Sequence, residues 1–386
     1  MSLQMNSALQ TLAPSGIRRI TALAKQKPGC ILLTLGEPDG NTAESVKSQV
    51  TASLAANETH YPPNNGTAAL REAISAHMAC NGLNYAPDEV VVTSGATEAL
   101  FAALTAVLNP GDEVLVPTPA FGLYESIITV NRAKFVPVDT SANEFQLSEE
   151  ALFAAANERT KAIVLTSPNN PTGCVYNAES LAAVAKLASE CDIYVICDDV
   201  YASLVYDAEL QSENGYYRGF AAQHSELRDR VIVCDSFSKP YAMTGWRLGW
   251  VAADACISAE IAKIHQYMVS SVPSFVQRAA VAALAEDVAP ARELYAFRRE
   301  LVLRRLNEMG LPATHPAGAF YVFPSIERFG MSSEEFCMRL INEAGVALVP
   351  GSCFSAEGFV RLSYCCSMEN IEEGLSRLES FIKTIE

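Results

Sequence analysis

The sequence predicts an α/β protein: a mostly parallel sheet flanked by helices, joined to a smaller α+β region. Three observations carry this. Short β-rich runs alternate with helical patterns from about residue 89 to residue 252, the alternation that places helices on both faces of a parallel sheet. Several of those runs are almost wholly apolar, as strands buried on both faces must be. Near residue 287 the pattern changes to a long helix followed by short strands.

The elements follow in order. The first forty residues hold a short helix and an extended run at 31–35, too little for a domain of their own. Strands are expected at 90–93, 114–116, 135–138, 162–165, 193–196, 231–233 and 248–252. Helices fall between them, at 98–108 ahead of the breaker Asn109-Pro110-Gly111-Asp112, and at 178–190. A helix at 291–309 sets Leu294, Phe297 and Leu301 on one face, with Arg298, Arg299, Glu300, Arg304 and Arg305 elsewhere. Strands at 320–323, 347–349 and 359–363, with two helices, complete the chain.

Composition narrows the function. The 386 residues are 49% hydrophobic and 19% charged, too apolar for a disordered chain. At about 150 residues per domain, that length suggests two or three domains, or one large core with an appendage. A net charge of −16 disfavours general affinity for nucleic acid or an anionic membrane. No apolar run reaches the length of a membrane span, and no long apolar stretch precedes Arg18 and Arg19, so a secretory signal is not expected. Eleven scattered cysteines without a C-x-x-C pair point to free thiols in a reducing cytoplasm. The five histidines lack ligand spacing, so no metal site is expected.

Four segments could carry chemistry. Ser236-Phe237-Ser238-Lys239 follows a buried strand, and Arg247 lies eight residues beyond the lysine. A desolvated lysine can lose its proton and act as an amine nucleophile, and an arginine fork suits a phosphate. Taken alone, Lys239 reads more readily as a solvated surface residue than as a nucleophile, since most lysines are solvated. The same four residues also fit S-x-x-K, where serine is the nucleophile, but the S-D-N and K-T-G partners are absent and Pro240 opposes the helix that motif needs. Thr93-Ser94-Gly95-Ala96-Thr97-Glu98 joins a strand to a helix whose first N–H groups can meet an anion. Ser167-Pro168-Asn169-Asn170-Pro171-Thr172-Gly173 is a rigid turn at a strand's C-terminal end, where open α/β sheets bind ligands. Cys197-Asp198-Asp199-Val200-Tyr201 ends the next strand, and a carboxylate buried there needs a cation or a strong donor.

Together these motifs resemble the pyridoxal-phosphate aminotransferases of fold type I, the class I/II aspartate aminotransferase family. The likeness runs from Leu35-Gly36-Glu37-Pro38-Asp39 to Val360-Arg361-Leu362-Ser363-Tyr364 and holds at least six motifs in order. It implies a seven-stranded sheet whose antiparallel member is 248–252, a large domain over 40–286, a small domain of 1–39 with 287–386, and a homodimer. It implies that Lys239 carries pyridoxal 5′-phosphate as a Schiff base and that Asp198 pairs with the ring nitrogen. Tyr201 and Asn170 would meet the phenolic oxygen, and Phe121 would stack on the ring. Ala96, Thr97, Ser236, Ser238 and Arg247 would hold the phosphate, with Tyr61 arriving from the neighbouring subunit. Arg361 would bind the substrate α-carboxylate, helped by Asn170 and the backbone at Gly36. The chain departs from the family at Gly40-Asn41, where many members carry an aromatic residue and a longer loop.

The reaction so implied moves an amino group from an amino acid to a 2-oxo acid with ping-pong kinetics. A carbon–sulfur β-lyase on the same fold is the alternative. A transcriptional regulator is disfavoured, since only about thirty-five residues precede Gly36 and the chain is acidic. No second arginine is identifiable in the sequence as a ligand for a side-chain carboxylate.

Overall fold

The computed structural model describes residue 3 and residues 5–385. Its centre is a seven-stranded sheet in the order 90–93, 249–253, 231–236, 194–198, 160–166, 113–118, 134–139. Six strands run parallel, and Gly249–Ala253 is antiparallel to both neighbours. The strand expected to run backwards does so. Each expected sheet strand is present, most extended by a few residues, because ladder hydrogen bonds continue past the last apolar side chain.

Both faces of the sheet are covered. Along each strand alternate residues enter two apolar clusters. Val92, Leu115, Ile163, Val195 and Val233 lie in one, and Val91, Val114, Val164, Ile196 and Ile232 in the other. Each such fully buried side chain contributes about 1.5–3 kcal/mol of transfer free energy. Helices Ala178–Glu190 and Gly95–Val107 serve opposite faces. The latter begins three residues before its expected start.

Elements from the two ends of the chain form a second, smaller layer. Ile31–Leu32 pairs in parallel with Val346–Ala347, which joins the start of the chain to its end. Val349–Pro350, Val360–Ser363 and Tyr321–Val322 make a short antiparallel sheet. Helices Ala289–Glu308, Ser333–Arg339 and Met368–Ile385 cover it through Val302, Leu306, Phe336, Leu375 and Leu378.

One expectation fails here. Helix Ala289–Glu308 does not bury the face of Leu294 and Phe297, which stand 41% and 64% exposed. It buries Tyr295, Arg298, Arg299, Val302 and Leu306 instead. Arg298 forks onto Asp39 with Nη1–Oδ1 at 2.9 Å and Nη2–Oδ2 at 2.7 Å. Arg299 donates to the Pro316 carbonyl at 3.1 Å. An arginine with such partners can be buried, and a hydropathy pattern does not register the partners.

Candidate active site

Parallel strands Thr160–Thr166, Tyr194–Asp198 and Val231–Ser236 end on the same edge of the sheet, with Thr166, Asp198 and Cys234 in register. The loops leaving that edge carry Asn170, Tyr201, Ser238 and Lys239. They meet the start of helix Gly95–Val107 and, from the smaller layer, Gly36, Tyr321 and Arg361 around a cavity of about 590 Å³. Twelve of the thirteen residues implied by the resemblance line this cavity: Gly36, Ala96, Thr97, Phe121, Asn170, Asp198, Tyr201, Ser236, Ser238, Lys239, Arg247 and Arg361. Tyr61 does not; it stands 91% exposed on the same chain.

Lys239 lies deep in this cavity. Its Nζ donates to the Gly36 carbonyl at 2.5 Å and sits 5.8 Å from the centre of the Tyr201 ring. Burial pulls its pKa from 10.5 down to about 8, so the neutral amine is accessible near physiological pH. Gly36 has no freedom to carry a side chain, because a Cβ there would fall 2.5 Å from the Tyr321 hydroxyl. That hydroxyl shares a 2.8 Å hydrogen bond with Tyr201.

Asp198 is 5% exposed. Its Oδ2 accepts from the Tyr124 hydroxyl at 2.6 Å, and Tyr124 also contacts Thr166 Oγ1 at 2.6 Å. Oδ1 is buried without a hydrogen-bond partner. Burial raises the carboxyl pKa from 3.8 to about 6; Tyr124 opposes the rise, and the Val200 N–H adds a weaker pull in the same sense as Tyr124.

An anion cradle forms where the first turn of Gly95–Val107 meets strand Gly249–Ala253. Two glycines allow it. A Cβ on Gly95 (φ +78°) would sit 2.7 Å from Arg247 Nη2, and a Cβ on Gly249 would sit 2.9 Å from the Ala96 nitrogen. The open N–H groups of Ala96 and Thr97, the Ser236 and Ser238 hydroxyls and Arg247 therefore converge at a helix N-terminus. Behind it, buried His265 places Nδ1 2.7 Å from Glu98 Oε1 and Nε2 2.8 Å from the Asn64 carbonyl.

Arg361 is 2% exposed. Nη1 donates to Asn170 Oδ1 at 2.7 Å and Nη2 to the Thr34 carbonyl at 2.7 Å, while Nε has no partner. The guanidinium stacks 4.4 Å from the Tyr321 ring centre and 5.0 Å from that of Phe354. Among the described residues no carboxylate pairs with it. The cavity thus holds an unpartnered carboxylate oxygen and an unpartnered guanidinium nitrogen, an arrangement suited to a ligand with a cationic group at one end and a carboxylate at the other.

Sequence reasoning missed Tyr124, Thr166, Thr244, Tyr321, Ile17 and Arg18, all of which line the cavity. Tyr124 follows Phe121 by three residues, and its N–H donates to the Phe121 carbonyl at 3.2 Å in the turn that opens the next helix. Tyr321 sits in an apolar run and gives no signal.

A family model described as aminotransferase class I and II matches residues 28–378, and the chain belongs to that family. It is an enzyme, an amino-acid aminotransferase. A probable N-acetyl-LL-diaminopimelate aminotransferase of Bacillus subtilis is 41% identical, over 98% of this chain and 95% of that one. An aspartate aminotransferase of Pyrococcus abyssi is 39% identical over 98% of each. The solved structure of the aspartate aminotransferase of Thermotoga maritima superposes with a TM-score of 0.92 at 35% identity, covering 98% of this chain and all of that one.

Proposed function

We propose that this chain binds pyridoxal 5′-phosphate through Lys239 and exchanges amino groups between an amino acid and a 2-oxo acid in two half-reactions with ping-pong kinetics. The observation that carries the reading is the pairing of a desolvated Lys239 with the partnerless, buried Oδ1 of Asp198 in one cavity. The residues fit the cofactor. Asp198 offers its carboxylate to a protonated ring nitrogen, Tyr201 and Asn170 face a phenolic oxygen, and Phe121 offers its ring. Ala96, Thr97, Ser236, Ser238 and Arg247 take the phosphate.

When bound, the cofactor supplies an electron sink for the charge left on Cα as its proton departs. The chain supplies the rest. Arg361 forks onto the substrate α-carboxylate and orients the Cα–H bond, with Asn170 and the backbone at Gly36 beside it. The Lys239 amine removes that proton as general base and returns a proton as general acid, a role its pKa of about 8 suits. Asp198 keeps a positive charge stable at the ring nitrogen, since an opposite charge nearby favours the protonated form.

We take 40–286 as the cofactor domain and 1–39 with 287–386 as the smaller one, acting as a homodimer in the cytoplasm. Eleven free cysteines suit a reducing compartment. A carbon–sulfur lyase is not favoured, because the matching relatives carry aminotransferase names.

Borohydride treatment of the loaded enzyme should fix the cofactor to the peptide containing Lys239. Attachment to any other lysine would overturn the assignment. Lys239→Ala should retain cofactor through the phosphate contacts and lose at least about 10²–10⁴-fold in rate, the usual share of acid–base catalysis.

A further inference from the structure

Glu98 and His265 form a buried pair that the proposed function leaves unused. Glu98 is 5% exposed and lies in the first turn of helix Gly95–Val107, directly after the cradle residues Ala96 and Thr97. A carboxylate there is drawn to the positive end of the helix, and an uncompensated one competes with any other anion bound at that end. Its Oε2 accepts from the Ser94 N–H. Its Oε1 meets His265 Nδ1 at 2.7 Å.

His265 is wholly buried and comes from another element, helix Ala255–Val269. Its Nε2 lies 2.8 Å from the Asn64 carbonyl, which only accepts, so Nε2 carries a proton. A ring nitrogen and a carboxylate oxygen in hydrogen-bond contact need one further proton between them. With that proton on nitrogen, the pair is a cation beside an anion; with it on oxygen, both groups are neutral. The net charge of the pair is zero in either case. The surroundings hold it in place. The Asn64 side chain donates to the Ala262 carbonyl at 3.3 Å, on the histidine's own helix. The Asn65 carbonyl accepts from the Val92 N–H at 3.1 Å, on the strand that leads into Ser94.

We propose that His265 is a positioning residue for the anion cradle: it keeps Glu98 in a net-neutral pair, so that the carboxylate caps the Ser94 N–H without opposing a phosphate at Ala96 and Thr97. This rests on the proposed function, because it takes the cradle as the site of the cofactor's phosphate. His265 touches neither cofactor nor substrate and acts through Glu98.

The test titrates the cofactor-free enzyme at pH 8 with pyridoxal 5′-phosphate, with pyridoxal, which lacks the phosphate, and with inorganic phosphate as a competitor of the first. His265→Gln keeps a donor for the Asn64 carbonyl but leaves Glu98 charged. It should weaken binding of pyridoxal 5′-phosphate and of inorganic phosphate by about tenfold, and of pyridoxal by less than about twofold. Glu98→Gln alone should change all three by less than about twofold, because the amide accepts from Ser94 and donates to Nδ1 of a neutral ring. Adding Glu98→Gln to His265→Gln should bring phosphate binding back to within about threefold of wild type. A loss shared equally by pyridoxal, no loss at all, or no recovery in the double variant overturns the role of His265. If His265→Gln does not fold, Glu98→Gln alone still decides, since phosphate binding about tenfold tighter or weaker in that variant overturns the neutral pair. A wild-type enzyme that binds pyridoxal 5′-phosphate no better than pyridoxal, with neither fixed at Lys239 by borohydride, overturns the proposed function itself.

Discussion

Asp198 is built at a cost to the cofactor-free chain. Folded, it holds its proton up to about pH 6; unfolded, it loses it near 3.8. The folded state therefore binds more protons between those values, and stability falls as pH rises through that window. Above it the cost is about 3 kcal/mol, from a shift of roughly two units. Asp198→Asn removes the charge but leaves an amide imperfectly partnered, so the cofactor-free variant should be about 1–2 kcal/mol more stable than wild type at pH 7.5. At pH 4 the difference should vanish or reverse, and transamination should be lost throughout. Urea unfolding at the two pH values checks this. A variant less stable than wild type at both would show that Asp198 stabilises the fold rather than serving the ligand.

Among the elements, the contact of helix Gly95–Val107 with strand Gly249–Ala253 sets the anion cradle. A Cβ on Gly249 would meet three backbone atoms, the Asp235 carbonyl at 2.6 Å, the Gly95 carbon at 2.8 Å and the Ala96 nitrogen at 2.9 Å. Backbone cannot swing aside as a side chain can, so Gly249→Ala must push the helix start off the strand. We expect a loss of about 1–3 kcal/mol, typical of overpacking, together with weaker cofactor binding. Thermal unfolding and cofactor titration read the two effects. Unchanged cofactor affinity in a destabilised variant would separate the cradle from this contact. Helix Ala289–Glu308 teaches a related lesson. Its buried side is chosen by Asp39 and the Pro316 carbonyl, and Leu294 and Phe297 are left outside.

At the scale of the whole molecule, Tyr61 is one of several large apolar side chains left exposed. Asn64, three residues on, bonds the Ala262 carbonyl at 3.3 Å and accepts from His265, so this loop lies on helix Ala255–Val269. The end of that helix exposes Tyr267 at 87%, Met268 at 43% and Val269 at 40%. We propose that this surface is buried against a second copy, with Tyr61 reaching that copy's phosphate. Tyr61→Ala should weaken cofactor binding by roughly 10- to 150-fold, the range for a hydroxyl on a charged acceptor. Mixing Lys239→Ala with Tyr61→Ala subunits at limiting cofactor should restore activity, because one site of each heterodimer then has both its own lysine and an intact tyrosine from its neighbour. If mixing restores nothing, or the enzyme is a monomer at assay concentration, the shared site is wrong.

The sequence by itself determined the strand–helix alternation, while the reversed strand expected at 248–252 and twelve of the residues around the cavity came from its resemblance to the family. The alternation and the strand-end turns were legible because local rules govern them. Apolar runs fix buried strands, and turns at strand ends carry Asn170, Asp198 and Lys239 wherever the sheet lies. Only the tertiary structure decided which partners those residues meet. Tyr124 on Asp198, Tyr321 on Tyr201, Asn170 and Thr34 on Arg361, and Glu98 on His265 join segments distant in the chain. The buried sides of Arg298 and Arg299, and the opening of Arg18 onto the cavity, were settled there too. A charged side chain is buried or exposed according to the group that faces it, and that group belongs to another element, which no local pattern can specify.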